Sequence, residues 1–194
     1  LRKTLSIITI FTIITLLSSC KNASLKSNNT KTGTESSSVS EVTIPFNYNS
    51  DFDELATKLI NSDSIEGIKI NTPYKSIISK YGEPTNKSSE IVINNSSITK
   101  QTWYYDNDNL EFDMVKTRGE YVVNAIRVYG KSDAATERDI KLGSNVNDVI
   151  KAYGEEINPD LSENSIIVAG EKNKGMIFIL KDDKVVSIFF GLVL

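Results

Sequence analysis

Two stretches of this chain match each other 72 positions apart: IKINTPYKSIISKYGEP at residues 68–84 and IKLGSNVNDVIKAYGEE at residues 140–156. Each reads as an extended lead-in, a cap and a short helix. In the first, Thr72 is placed to cap and Pro73 to take the first helical position, where a missing N–H costs nothing. Tyr74, Ile77, Ile78 and Tyr81 then fall at i, i+3, i+4 and i+7. In the second, Ser144 is the cap, and Val146, Val149, Ile150 and Tyr153 occupy the same offsets. Each set forms one apolar stripe along a helix. Gly82 and Gly154 follow, where a left-handed residue would end the helix.

Strand-like segments come after each helix: 100–105, 110–115 and 121–129, then 165–169, 176–181 and 185–190. Asp106–Asn109 and Asp182–Lys184 are turn-like joins, so antiparallel meanders are expected. A further helix over Phe52–Ile60 precedes the first set, with a weak counterpart near Ser132–Arg138. The expected fold is therefore α+β: two tandem helix–antiparallel-sheet repeats, about 47–130 and 131–194, with the helices packed on one face of the sheet.

The helix–Tyr-Gly-Glu turns and the strand order resemble the tandem repeats of β-lactamase inhibitor protein. They also resemble the small outer-membrane assembly lipoproteins of the BamE/SmpA type. The resemblance covers about residues 50–194 and implies a binding, inhibitor-like or assembly role. It departs from the inhibitor in lacking disulfides, and no inhibitory residue transfers to a position here. The second turn also carries Glu156 where the first has Pro84.

The N-terminus gives an address. Arg2 and Lys3 precede Leu5–Leu17, a run of Ile, Leu, Phe, Thr and one Ser, followed by Ser18-Ser19-Cys20. A charged start, a short apolar middle and a small-residue end make a secretory signal. As a helix the run spans about 20 Å, short of the ~30 Å hydrocarbon core. Leu17-Ser18-Ser19-Cys20 resembles the bacterial lipobox, which implies diacylglycerol on the Cys20 thiol and cleavage between Ser19 and Cys20. The expected mature protein is held at the extracytoplasmic face of the cell membrane by that lipid. Residues 20–46 are polar and too poor in apolar groups to fold, so they read as a tether, and 47–194 as a single folded domain. Cys20 is the only cysteine, so no disulfide is available.

Composition narrows the chemistry. The formal net charge is −3, and loss of Arg2 and Lys3 would make it more negative, which disfavours a nucleic-acid partner. There is no histidine, which removes the commonest general base and zinc ligand. Ser97–Lys100 matches S-x-x-K and Lys31-Thr32-Gly33 matches K-T-G, but their order and the short chain do not suit a penicillin-binding enzyme. Asp106–Asp113 is rich in acids and could suggest calcium, yet Asp and Asn are also what a tight turn requires. Glu83 and Glu155 correspond across the repeat and read as surface turn residues. No catalytic residue, cofactor or metal is assigned.

One surface stands out. Neighbours along a strand face opposite ways, so Trp103-Tyr104-Tyr105 cannot all enter a core. Leu110, Phe112 and Met114 should face the helices, leaving Glu111, Asp113, Arg127 and Tyr129 on an open side. Residues 176–180 and 185–190 are apolar on both faces, so a second apolar surface also needs cover, by a partner, by residues 47–60 or by the C-terminal tail. Aromatic residues and Arg are enriched at binding hot spots. Trp103, Tyr104, Tyr105, Glu111, Asp113, Arg127 and Tyr129 are therefore the expected contacts for a protein or cell-wall partner. The expected function is a non-enzymatic binding or inhibitor-like module. A carboxylate-dependent envelope hydrolase and a structural subunit of an envelope assembly machine are the alternatives.

Overall fold

The computed structural model describes residues 51–93 and 97–194. The segment expected as a signal peptide, Cys20, the expected tether and Lys31–Gly33 lie outside the described residues.

In chain order the elements are α1 (Phe52–Ser62), α2 (Tyr74–Tyr81), β1 (Asn86–Lys87), β2 (Ile91–Val92), β3 (Thr99–Tyr105), β4 (Leu110–Thr117), β5 (Glu120–Val128), α3 (Val146–Tyr153), β6 (Ile166–Glu171), β7 (Lys174–Lys181) and β8 (Lys184–Leu192). The strands form one antiparallel sheet in the order β1-β3-β4-β5-β8-β7-β6, with β2 also paired to β3.

This corrects the expectation of two tandem helix–sheet repeats. Among the described residues, eight strands form one sheet and the helices are three short ones. β5 pairs with β8 from Ala125↔Gly191 to Val128↔Ile188, so no boundary divides the ladder. Moreover α1, the first of the described elements, packs on β6 and β7 near the end of the chain. The physical reason is the sheet edge. A separate meander would leave the outer N–H and C=O groups of β5 and β8 unpaired, and pairing the two strands satisfies both. The segment at Ser132–Arg138 is not a helix but turns and isolated bridges, Ala135 pairing Lys141 and Thr136 pairing Ile65.

The helix ends also differ from expectation. Pro73 is the N-cap of α2 and makes no side-chain cap bond, and Thr72 Oγ1 instead accepts from the Lys69 N–H at 3.1 Å. In α3 the cap is Asn145, not Ser144, in a reciprocal capping box with Asp148. Gly82 has a positive φ of 77°, but Gly154 is right-handed at −53°. The chain there continues into a further turn, with the Glu156 and Ile157 N–H groups both bonding the Tyr153 carbonyl.

A single apolar core joins all three helices to one face of the sheet. It takes Leu59 and Ile60 from α1, Ile77 from α2, Val149 and Tyr153 from α3, and Phe112, Ile126, Phe178, Ile188 and Phe190 from the strands. A Cβ added at Gly170 would stand 2.9 Å from the Ala56 Cβ, so α1 lies directly on β6 at this point. The ladder skips one residue twice, Asn124 opposite Asp113/Met114 and Val186 opposite Ile179/Leu180. Such bulges bend the strand and re-aim its side chains.

Candidate functional site on the open sheet face

The aromatic triplet divides. Trp103 and Tyr105 are each 2% exposed and belong to the core, so they are not surface contacts. The Trp103 indole N–H donates to Gln101 Oε1 at 2.8 Å, and Tyr74 meets its ring edge-on at 6.2 Å. The Tyr105 hydroxyl donates to the Gly82 carbonyl at 3.1 Å, fixing the end of α2. Tyr104, between them, takes the opposite face and is half-buried. Leu110, Phe112 and Met114 line the core as expected.

On the face away from the helices, direct cross-strand partners form a row: Tyr104, Glu111, Arg127, Phe189, Ile177 and Val168. The half of this row from Tyr104 to Arg127 is polar. Asp113, one register step along, is only 2% exposed. Three groups hold its carboxylate: Thr102 Oγ1 donates at 2.7 Å, Lys100 Nζ lies at 3.1 Å and an Arg127 guanidinium nitrogen at 3.3 Å. The other end of the same guanidinium lies 3.6 Å from Glu111. Its carbon sits 5.4 Å from the centre of the Phe189 ring, a cation–π distance. Tyr129 stands at the end of β5. Burial pushes its phenol up, with Glu111, Asp106 and Tyr104 adding to the effect, so it is a neutral donor.

Five of the seven expected contacts, Tyr104, Glu111, Asp113, Arg127 and Tyr129, thus come from the face away from the core. Asp113 is part of the foundation and not of the accessible surface, because its oxygens are already committed. Both carboxylates face cations, so this arrangement suits recognition better than proton transfer. The Asp106–Asn109 segment is the β3–β4 turn, with Asn109 at φ 52° and Asp108 N–H bonding the Tyr105 carbonyl.

Sequence reasoning missed a second charged group. Arg138 makes a two-pronged contact with Glu156 at 3.1 and 2.8 Å, reaches Asp63 at 3.2 Å and donates to the Ala152 carbonyl at 2.7 Å. Its guanidinium lies 4.4 Å from the centre of the Tyr153 ring. The Tyr153 hydroxyl, beside Asp63 and Thr136, makes no hydrogen bond of acceptable geometry. This cluster ties the end of α1 to the loop before α3 and the turn after it. The one signal was Glu156 standing where the first motif has Pro84. The neighbouring Glu155 is exposed, as is Glu83, which lies 3.8 Å from Lys87.

A shallow cleft of about 280 Å³ lies between Tyr81, Asp108, Lys131 and Asp133, with Glu66 at its wall. Glu66 is already engaged by the Ala135 N–H at 3.1 Å and by Lys80 at 3.4 Å. Comparison with known proteins finds no matching family model, no matching curated protein and no matching solved structure.

Proposed function

We propose that this chain is a lipid-anchored, extracytoplasmic bacterial lipoprotein that acts as a non-enzymatic protein-binding module at the cell envelope. Such a module would work as an inhibitor or as a subunit of an envelope assembly. The observation that carries the reading is the Tyr104–Glu111–Arg127 row with Tyr129 beside it. It offers flat aromatic area, a planar cation and hydrogen-bonding tips, held rigid by a buried carboxylate. Aromatic residues and Arg anchored in this way are the residue types that dominate binding energy. The lipobox-like Leu17–Cys20 supports the address, since it stands at the end of the short apolar run. The alternative of a carboxylate-dependent hydrolase has less support. Asp113 and Glu111 face Arg127, Asp63 and Glu156 face Arg138, and the cleft beside Tyr81 is shallow.

Two measurements on the full chain in a bacterial host test this. Cys20→Ala should leave the protein unprocessed or release it from the membrane fraction. An unchanged fraction and mature mass would refute the anchor. A photo-crosslinking amino acid at Tyr104 or Tyr129 should give discrete protein adducts, whereas one at Lys58, on the solvent side of α1, should not. Equal labelling at Lys58, or none at either tyrosine, would move the site elsewhere.

A further inference from the structure

The two matched stretches make the same local bonds although their strands form one sheet. The Lys69 N–H donates to Thr72 Oγ1 at 3.1 Å, and the Lys141 N–H to Ser144 Oγ at 3.1 Å. The Asn71 and Gly143 N–H groups reach the Val123 and Val185 carbonyls, each at 2.8 Å. Tyr81 ends α2 with its ring 5.8 Å from that of Phe112 and tilted by 46°, and Tyr153 ends α3 at 5.1 Å and 49° from Phe178. A turn precedes each helix, closed by Ile65 and Ile68 in the first and by Thr136 and Ile140 in the second.

What the turn brings to its tyrosine differs. The second carries Arg138, whose guanidinium covers the Tyr153 ring at 4.4 Å and holds Asp63 and Glu156. Tyr153 is fully buried beneath it. The first turn carries Glu66, and beside Tyr81 lies the cleft of about 280 Å³, with Tyr81 only half-buried. Glu66 shares that cleft with Asp108 and Asp133. Lys80 engages Glu66 at 3.4 Å, and its ammonium stands 5.3 Å from the centre of the Tyr81 ring. Asp108 and Asp133 have no ion-pair partner among the described residues. Burial pushes the Tyr81 phenol up, and the charges of Glu66 and Asp108 push it further, so both act on its hydroxyl end. A metal ion does not fit, because no group of three acids converges among the described residues. A planar guanidinium does fit, since it lies flat on an aromatic ring and bonds two carboxylates at once.

We propose that the cleft beside Tyr81 receives a guanidinium group from outside the chain, set against the Tyr81 ring and held by Asp108 and Asp133, as Arg138 is held beside Tyr153. A small guanidinium compound and an arginine on a partner protein carry the same chemistry. No residue of the cleft belongs to the Tyr104–Glu111–Arg127 row, so this inference and the proposed function can fail separately.

The test titrates the full chain with Cys20→Ser, in detergent micelles, with arginine amide while its backbone amides are followed by NMR. The Asp108, Lys131 and Asp133 amides should shift and saturate, and those of β6 and β7 should stay. Citrulline amide, of similar shape without charge, and lysine amide, with an ammonium, should each bind more weakly by about fivefold or more. Asp108→Asn with Asp133→Asn changes two exposed side chains. It should weaken arginine amide by about tenfold and leave the amides of the core strands in place. A pentapeptide with a central arginine separates the sources. Tighter binding than arginine amide at the same amides assigns the group to a partner protein, and binding no tighter assigns it to a small compound. Equal binding of the arginine, citrulline and lysine amides would overturn the proposal. So would an unchanged affinity in the double variant, or the absence of any shift at the three cleft amides.

Discussion

Asp63 is 2% exposed, and loss of hydration pushes its carboxyl above the ordinary 3.8, against the pull of the Ser64 N–H and of Arg138. The folded chain therefore holds the Asp63 proton more tightly than the unfolded chain does. The stability this group contributes is present below pH 3.8 and is lost as pH rises through the elevated folded value. Asp63→Asn cannot ionise and should not show this loss. Urea melts of the two proteins from pH 3.5 upward are expected to show the wild type losing stability relative to the variant as pH rises. A gap that stays constant would mean that Arg138 and the Ser64 N–H cancel desolvation, and one that moves the other way that they outweigh it. Arg127 is held in place by contacts to a different carboxylate. Asp113 is buried with three donors around it, and an uncompensated charge there would be costly.

At the scale of elements, the apolar stripes of α2 and α3 do not bury all four positions equally. Ile77 and Val149 are fully enclosed, while Ile78 and Ile150 are half-buried against the rim of the core. Ile77→Ala should cost about 2–5 kcal/mol in urea melts, the range for a large-to-small change in a closed site. Ile150→Ala should cost less than about 2 kcal/mol, because surrounding water can fill part of the space. Equal costs would mean that the two stripes sit at one depth. The helices and strands themselves were legible from periodicity: α1, α2, α3 and β3 to β8 all lie within a few residues of their expected positions. Caps were less legible. Asn145 and Ser144 are both good N-cap residues, and only the position of Asp148 relative to the backbone selects Asn145.

For the whole molecule, the joined sheet carries its own prediction. Residues 51–130 and 131–194, expressed separately, should each lack a cooperative urea transition. The first would lose β8 along its β5 edge and the strands under α1, and the second would lose α1 and the Asp63 side of the Arg138 cluster. A sharp, independent transition in either piece would restore the picture of self-contained repeats.

What the sequence by itself determined is local. Apolar spacing set the helices, alternation set the strands and sent Tyr104 away from Trp103 and Tyr105, and Asp, Asn and Gly set the turns. What only the tertiary structure decided is non-local: the pairing of β5 with β8, the seating of α1 on β6 and β7, the burial of Asp113, and the meeting of Asp63, Arg138 and Glu156. None of these leaves a period in the sequence. They arise because unpaired strand edges and unpaired buried charges are costly wherever they occur, and the partners that relieve them stand far apart along the chain.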